Sequence, residues 1–351
     1  MFRAEKVNAM TYCLKISKEY GEYVLKILKK LGLVNSSYEI VREKEYILIP
    51  LAEPKIPSSL TNINSVIVKC SPKRRNYVRT YRDFLVNKLP QKVYEKLPSS
   101  YDIVGDVVLI RLNNIPEKYW REIGNALLKF HRGKKAAYAI VGETSGKERV
   151  FPLKLIAGVH VEKTFYVEYG CKFIVYIGKV YINPSFSYEH KRISELVSDG
   201  EKVLDMFAGI GGFSIITAKY KNVEVVALDI NPYAIKSINE SLKINRLKGI
   251  VMPIHAESSR SERLLNRKFS RVIMNLPSLS HMFIRNAVKL ISDEGGIIHY
   301  YRFSQTSTEP LHELISEVAK YGRRIVKILG VRRVIEVSPT KKLYVVDAYV
   351  M

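Results

Sequence analysis

A cluster of small residues between an apolar run and a helical pattern is the stretch of this sequence best suited to hold a ligand. The run KVLDMFAGIGGFSIITA, residues 202–218, places Ala208, Gly209, Gly211 and Gly212 after a predicted strand and before a predicted helix. Such residues let a ligand approach the backbone closely, and the first turn of the helix offers it N–H groups. Several nucleotide cofactors use a turn of this kind, so the turn alone does not identify the ligand.

Polar residues after the neighbouring strands narrow the choice. Asp229 ends the strand VVALD, where a carboxylate can accept both hydroxyls of a ribose and disfavours a 2′-phosphate. Glu257 follows the third strand, where an adenine amino group would need an acceptor, and Asn275 opens NLP after the fourth. The glycine spacing in DMFAGIGG differs from the GxGxxG of dinucleotide folds. The pattern therefore predicts an adenosine-containing ligand at a site distinct from those folds.

The elements that must position these residues follow a strand–helix alternation from residue 188 onward. Apolar strands separated by helices of this length predict a doubly wound, mostly parallel sheet, an α/β fold that we assign to residues 179–351. Two smaller α+β domains are predicted upstream, over residues 1–60 and 76–178. Residues 61–75, after a stretch rich in Pro, Ser and Asn, are predicted to be a linker.

The charge balance indicates a polyanionic partner. The chain has 57 Lys plus Arg against 34 Asp plus Glu, a formal net charge of +23. Such an excess attracts nucleic acid first, although a Lys-rich surface suited to solubility or high temperature is the alternative. Residues 70–98 add interleaved Tyr and Phe, a mixture that can bind phosphates and stack bases, or equally form a solvated amphipathic helix.

Several classes of protein are not expected. No apolar run is long enough for a membrane span, and the N-terminus lacks the apolar core of a secretory signal. Cys13, Cys70 and Cys171 are odd in number and far apart, so neither a disulfide framework nor a metal site is predicted and a reducing cytoplasm is expected. His255 and His281 lack partners at metal-ligand spacing.

Five segments together resemble a known family: DMFAGIGGFSI, DINPYAIKSINESLKIN, MNLPSLSHMF, GGIIHYYRF and VSPTKKLYVVDAYV. They are similar to the archaeal and eukaryal tRNA (guanine-N1)-methyltransferases, which modify guanosine 37, immediately 3′ of the anticodon. The resemblance covers the whole chain. It implies a Rossmann-like class I methyltransferase domain, S-adenosylmethionine as cofactor, and tRNA as partner. It also implies that the first domain reads the outer corner of the tRNA. Nothing in the sequence suggests an obligate dimer, so a monomer is expected.

The resemblance also implies roles for individual residues. Glu189 in SYEHKRI matches the base that removes the N1 proton, Arg149 in GKERV matches the cation that stabilises charge on O6, and Asn275 matches the residue that holds the guanine edge. The implied cofactor-binding set is His190, Asp205, Phe207, Gly209, Gly211, Asp229, Ile230, Glu257, Ser258, Asn275 and Pro277. From the residues alone, Glu189 would form a surface ion pair and Arg149 would bind phosphate.

One departure from the family pattern and three competing functions remain open. This chain has Glu189-His190 where the family usually has Glu-Arg, and a cation there would lie near the cofactor carboxylate. Similar archaeal enzymes also methylate a wyosine precursor at the same tRNA position. A second competing function is that of the related aminocarboxypropyl transferase of wyosine synthesis, and a third is that of an RNA-binding protein with a vestigial site.

Overall fold

The structure, a computed structural model, describes residues 10–73, 78–144 and 146–351. Three sequence predictions involve positions outside that range: the start of the first domain, Arg74–Tyr77 of the basic segment, and Ser145 in the loop of Arg149. The chain divides into two units between Asp83 and Phe84, and each is described by itself.

The first unit is a four-stranded antiparallel sheet with one long helix. Its elements are β1 (Thr11–Ser17), α1 (Gly21–Lys30), β2 (Val41–Arg42), β3 (Tyr46–Pro50) and β4 (Ser65–Cys70), in the strand order β2-β3-β1-β4. The apolar face of α1 buries Val24 and Leu28 in a cluster with Leu14, Ile16 and Ile49 of the sheet. The strand–helix–strand pattern predicted for this segment is therefore present.

Two predictions for the first unit are wrong. Residues 61–75 are not simply a linker, because β4 pairs with β1 over six residues and completes the sheet. This pairing places Cys70 opposite Thr11, and a disulfide joins Cys70 to Cys13 with a Cα–Cα distance of 5.9 Å. The cysteines are 57 residues apart in sequence, and only the return of β4 to β1 makes them neighbours.

The second unit begins with a mixed four-stranded sheet and a hairpin. Helix α2 (Gln91–Tyr94) precedes β5 (Asp102–Val104), β6 (Val107–Arg111), α3 (Trp120–Phe130), β7 (Ala136–Ile140) and β8 (Leu153–Gly158), and the strand order is β5-β6-β7-β8. The predicted hairpin is formed by β9 (Lys163–Glu168) and β10 (Cys171–Tyr176). One apolar cluster contains Val104, Phe173 and Val203, so the core is continuous across the domain boundary predicted at residues 178/179.

The remaining residues form the predicted doubly wound sheet, of seven strands. Its elements are α4 (Ser187–Leu196), β11 (Lys202–Asp205), α5 (Gly212–Tyr220), β12 (Glu224–Asp229), α6 (Pro232–Ile244), β13 (Ile250–His255), α7 (Ser261–Leu264), β14 (Arg271–Met274), α8 (Ile284–Leu290), β15 (Gly296–Ser304), α9 (Thr308–Lys320), β16 (Ile325–Ser338) and β17 (Lys341–Val350). The order is β13-β12-β11-β14-β15-β17-β16. The first five strands are parallel, and β17 is antiparallel to both of its neighbours.

Alternation along the parallel strands explains why both faces of this sheet are covered. Val203 and Val225 belong to one apolar cluster, whereas their chain neighbours Leu204 and Val226 belong to another on the opposite face. Parallel strands buried on both faces read as continuous apolar runs, as these do. Within the described ranges, no helix is both long enough and apolar enough to cross a bilayer.

A buried polar network crosses the core of this sheet. His299 on β15 lies 2.6 Å, through Nδ1, from Oδ1 of Asp347 on β17, and Arg271 contacts His299 Nε2 at 2.7 Å. Burial lowers the pKa of His299, and a neutral ring donating from Nδ1 and accepting at Nε2 satisfies both neighbours. Burial alone would raise the pKa of Asp347, but hydrogen bonds from His299 and Arg192 bring it to about 2.

We predict that Asp347→Asn lowers the free energy of unfolding in a pH-dependent way. A carboxyl whose folded pKa lies at about 2, against an ordinary 3.8, stabilises the fold above 3.8 and loses that contribution as pH falls through 2. The difference in the free energy of unfolding between parent and variant should therefore be largest at neutral pH and should shrink as the pH falls from 3.8 to 2. Urea unfolding at several pH values measures it, and a gap that grows toward acid would contradict the assignment.

Candidate active site

The glycine turn is held in place by the carboxylate of Asp229, the last residue of β12. Gly209 and Gly211 adopt φ of +54° and +88°, left-handed values that favour glycine. The Gly209 N–H donates to Asp229 Oδ2 at 2.7 Å, and Asn231 N–H donates to Oδ1 at 2.8 Å. Burial raises the pKa of Asp229, and these two donors oppose the shift. Each oxygen keeps a lone pair for a further donor.

Two predicted cofactor residues hold the strand ends together. Asp205 is fully buried at the end of β11, and its Oδ2 accepts from Ser214 Oγ of α5 at 2.7 Å. Burial raises the pKa of Asp205 to about 6. The buried Ser258 hydroxyl donates to the Met206 carbonyl at 2.5 Å. These side chains are thus engaged with the protein itself and shape the floor of the site.

The remaining predicted cofactor residues lie around the same edge of the sheet. Glu257, half-buried, precedes a short 3₁₀ turn, and the adjacent Ala256 N–H donates to the Asp229 carbonyl at 3.0 Å. The Phe207 ring meets the Phe283 ring edge-on at 5.1 Å. Ile230 directly follows Asp229, and its carbonyl accepts from His255 Nε2 at 2.9 Å.

His190 packs directly on the start of α5. A Cβ on Gly212 would lie 2.4 Å from Cε1 of His190, so only glycine fits beside that ring. Glu168, at the end of β9, holds His190 Nδ1 at 2.7 Å, and both side chains are largely buried. The sequence analysis missed Glu168, because nothing local links a hairpin residue to a helix that begins 19 positions later.

Arg149 contacts the loop after β14, which begins with Asn275. Arg149 Nη2 donates to Ser278 Oγ at 3.2 Å, three residues beyond Asn275, and its own φ is +55°. The same loop is held by Arg302, whose Nη1 donates to the carbonyls of Pro277 at 3.4 Å and Ser278 at 3.2 Å. The structure therefore joins the loop of Arg149 to the NLP element.

Asn275 carries an acceptor that the described part of the chain does not satisfy. Its Oδ1 is buried and has no hydrogen-bond partner there. Leaving a buried acceptor unpaired costs roughly 1–3 kcal/mol, so such atoms are commonly satisfied by a ligand or water. Met274 pairs with Tyr300 between β14 and β15, which places Asn275 at the strand ends beside Tyr301.

Glu189 is buried, not on the surface as its sequence neighbours alone suggest. It is 1% exposed on α4, and its Oε2 accepts from Arg192 Nε at 3.0 Å and from Tyr301 Oη at 2.9 Å. Its Oε1 forms an ion pair with Arg332 of β16. Burial raises the pKa of Tyr301 well above its usual range, so the phenol stays a neutral donor.

Two partners of Glu189, Tyr301 and Arg332, come from the last strands of the sheet, so sequence analysis missed them. Polar positions inside the strands GIIHYYRFS and IVKILGVRRVIEVS were the available signal. No group of three or more His, Cys, Asp or Glu suited to a metal ion occurs among residues 10–73, 78–144 and 146–351.

The arrangement fits an adenosine-containing cofactor. The glycine turn is open to close approach, and Asp229 has acceptor capacity left for a ribose. The chemistry of this donor and acceptor set therefore agrees with S-adenosylmethionine.

Family models match most of the chain. The TRM5/TYW2 methyltransferase domain matches residues 164–327, the TYW2 N-terminal domain matches 81–161, and the tRNA methyltransferase 5 N-terminal domain matches 13–55. The chain is 35% identical over 342 residues to tRNA (guanine(37)-N(1))-methyltransferase Trm5b of Pyrococcus abyssi, covering 96% of this chain and 98% of that protein. It is 34% identical to the Trm5b of Methanocaldococcus jannaschii, covering 93% and 97%.

Solved structures agree over the same length. The crystal structure of wild-type Trm5b from Pyrococcus abyssi matches with a TM-score of 0.79 at 31% identity, covering 97% of this chain and 99% of that one. A complex of aTrm5 with tRNALeu matches with a TM-score of 0.78 at 32% identity, covering 96% and 99%. With matches over nearly its whole length, the chain belongs to the archaeal and eukaryal Trm5 family of class I S-adenosylmethionine-dependent tRNA methyltransferases.

Proposed function

We propose that this protein transfers the methyl group of S-adenosylmethionine to N1 of guanosine 37 in tRNA. The observation that carries the proposal is the buried, unpaired Oδ1 of Asn275. Asn275 begins the loop that Arg149 contacts at Ser278, and the neighbouring strand β15 carries Tyr301, whose hydroxyl donates to Glu189. A guanine edge offers the N–H donors that this acceptor lacks. The similarity to Trm5b over the full length supports the same reaction.

Binding of the cofactor is assigned to residues at the ends of β11 to β14. Asp229 accepts the ribose hydroxyls with the lone pairs left after its two backbone contacts. Gly209 and Gly211 keep the turn free of side chains, while His190 and the first turn of α5 face the cofactor carboxylate. Phe207, Ile230 and Pro277 pack on the adenine, and Glu257 and Ser258 meet its polar edge. Asp205 supports the turn by accepting a hydrogen bond from Ser214 of α5.

Methyl transfer then depends on three residues around the guanine. When bound, S-adenosylmethionine supplies a methyl group on a sulfonium, an electrophile that needs a deprotonated N1 in line with it. Glu189 would accept the proton from N1, which makes N1 the nucleophile that this methyl group requires. Arg149 stabilises negative charge on O6, and Asn275 holds the base edge. The target base must leave the anticodon stack to reach them.

Recognition of the tRNA is assigned to the basic surface and to the first unit. The net charge of +23 favours a polyanion, and a solved relative is a complex with tRNALeu. We assign the outer corner of the tRNA to the first domain and the anticodon stem-loop to the rest, with a monomer acting in the cytoplasm.

A direct test is nucleoside mass spectrometry of unmodified tRNA after incubation with the protein and S-adenosylmethionine. N1-methylguanosine confined to position 37 supports the proposal. A relative at 32% identity over 230 residues is the 4-demethylwyosine aminocarboxypropyltransferase of Methanocaldococcus jannaschii. To distinguish the two transfers, the label retained in tRNA is compared between cofactor labelled in the methyl carbon and cofactor labelled in the carboxyl carbon. Label retained only from the carboxyl carbon would overturn the proposal, and a parallel incubation with tRNA carrying the wyosine precursor tests the second methylation.

We predict that Asp229→Ala weakens cofactor binding by about 1–3 kcal/mol, roughly five- to 150-fold in Kd, because the ribose hydroxyls lose their acceptor. Isothermal titration with S-adenosylhomocysteine measures the loss. Asp293→Ala is the matched control, since that carboxylate is 80% exposed and pairs with Lys268 and Arg323 on the surface. An unchanged Kd for Asp229→Ala refutes its ribose role.

We predict that Glu189→Gln lowers the single-turnover methylation rate by about a hundredfold or more, because the amide cannot accept the N1 proton. Affinities for tRNA and cofactor should stay within about threefold, since the amide keeps the shape of the carboxylate. Glu195→Gln, on the same helix with 64% of its side chain exposed, should match the parent. Loss of affinity with an intact rate at saturation would make Glu189 structural.

A further inference from the structure

Arg332 covers the one oxygen of Glu189 that has no hydrogen-bond partner among the described residues. Oε2 of Glu189 is engaged by Arg192 Nε and by the neutral Tyr301 hydroxyl. Oε1 is in ion-pair contact with the Arg332 guanidinium, but this contact is not a hydrogen bond: Oε1 of Glu189 and Nε and Nη2 of Arg332 are buried without a hydrogen-bond partner among the described residues. A general base must present an oxygen to the proton that it removes. With Arg332 in place, neither oxygen of Glu189 is available to a guanine N1–H.

The two arginines differ in how firmly they are held. Arg192 donates to Asp347 at 2.5 Å as well as to Glu189, and Asp347 is itself bonded to His299, so this cation belongs to the core network. Arg332 has Glu189 as its acidic partner and no second one within the described ranges. Its side chain is 39% exposed on β16, an edge strand of the sheet. Arg332 is therefore the partner that can leave.

An RNA substrate brings the group that an exposed arginine prefers. Phosphate oxygens accept two parallel N–H bonds from a guanidinium, a stronger match than one buried carboxylate oxygen. The Arg332 side chain is 39% exposed although its Nε and Nη2 atoms are buried, and its guanidinium lies 5.4 Å from the centre of the Tyr188 ring, which is 64% exposed on α4. Lys327 and Arg333 add positive charge along the same strand.

We propose that Arg332 is a positioning residue, a latch that covers Glu189 in the free enzyme and moves to a backbone phosphate of the bound RNA. The proposal rests on the proposed function, because it assigns Glu189 the role of base. In the free enzyme, the Arg332 charge favours the ionised carboxylate but blocks Oε1. In the complex, Oε1 is exposed to the target N1–H while Arg192 and Tyr301 hold Oε2. No covalent change accompanies the exchange of partners.

The test compares Arg332→Gln with Arg333→Gln, whose parent side chain is 56% exposed and pairs with Glu336 instead. The pH dependence of kcat/KM for tRNA reports the free enzyme, and that of kcat reports the complex. Loss of a cation beside Glu189 lets the carboxylate bind its proton at higher pH. The other groups near the carboxylate are unchanged by the substitution: Arg192, Tyr301 and the Asp347–His299 pair behind them. The acidic limb of kcat/KM should therefore move to higher pH in Arg332→Gln, and that of kcat should not move.

Binding provides a second readout that a purely structural role would not give. Arg332→Gln should weaken tRNA binding about tenfold, the value of one charge-assisted contact, and reduce the slope of log K against log salt by about 1. Affinity for S-adenosylhomocysteine should stay within about twofold of the parent. Arg332→Lys keeps the charge, so its kcat/KM profile should stay near that of the parent, and Arg333→Gln should leave both acidic limbs in place.

Three outcomes would overturn the latch. One is an acidic limb of kcat that moves together with that of kcat/KM, which means that Arg332 stays on Glu189 in the complex. Another is an Arg332→Gln variant whose profiles match those of Arg333→Gln. The third is a large loss of cofactor affinity. A parent enzyme that does not methylate tRNA would instead overturn the proposed function, so the two failures are distinguishable.

Discussion

The hydrogen bond from the Gly209 amide to the Asp229 carboxylate is the contact on which the geometry of the site depends. It ties the turn after β11 to the end of β12, which are neighbouring parallel strands. A side chain at Gly211 would meet Ile215 and Ile238 at 3.0 Å, and one at Gly212 would meet His190. The turn is thus fixed by a carboxylate on one side and by close packing on the other. The positive φ values of Gly209 and Gly211 add to the preference for glycine in this turn.

Further hydrogen bonds fix the other residues at this edge of the sheet. The first turn of α5 is anchored by Asp205 through Ser214, and β13 is drawn in by Ser258 through the Met206 carbonyl. On the far side of β11, the loop after β14 carries Asn275 and receives Arg149 at Ser278. Preorganised polar groups of this kind need no rearrangement when a ligand arrives, which is how a folded site gains affinity and rate at low cost.

How much of this could be predicted depends on sequence separation. The glycine turn, Asp229 and the NLP element were predictable because strand, turn and helix are written in consecutive residues. The disulfide between Cys13 and Cys70 was not, because it requires β4 to return to the edge of β1, and the Pro- and Asn-rich residues before β4 obscured that strand. Likewise, the burial of Glu189 depends on Tyr301 and Arg332, which only the order of the final strands brings to α4.

We propose that Asp229, held by the amides of Gly209 and Asn231, presents its remaining lone pairs to a ribose. It is tested most directly by calorimetric titration of the protein with S-adenosylhomocysteine and with its 2′-deoxy analogue. Loss of one hydroxyl should weaken binding about tenfold, the value of one hydrogen bond to a charged acceptor. Equal affinities for the two compounds would contradict it.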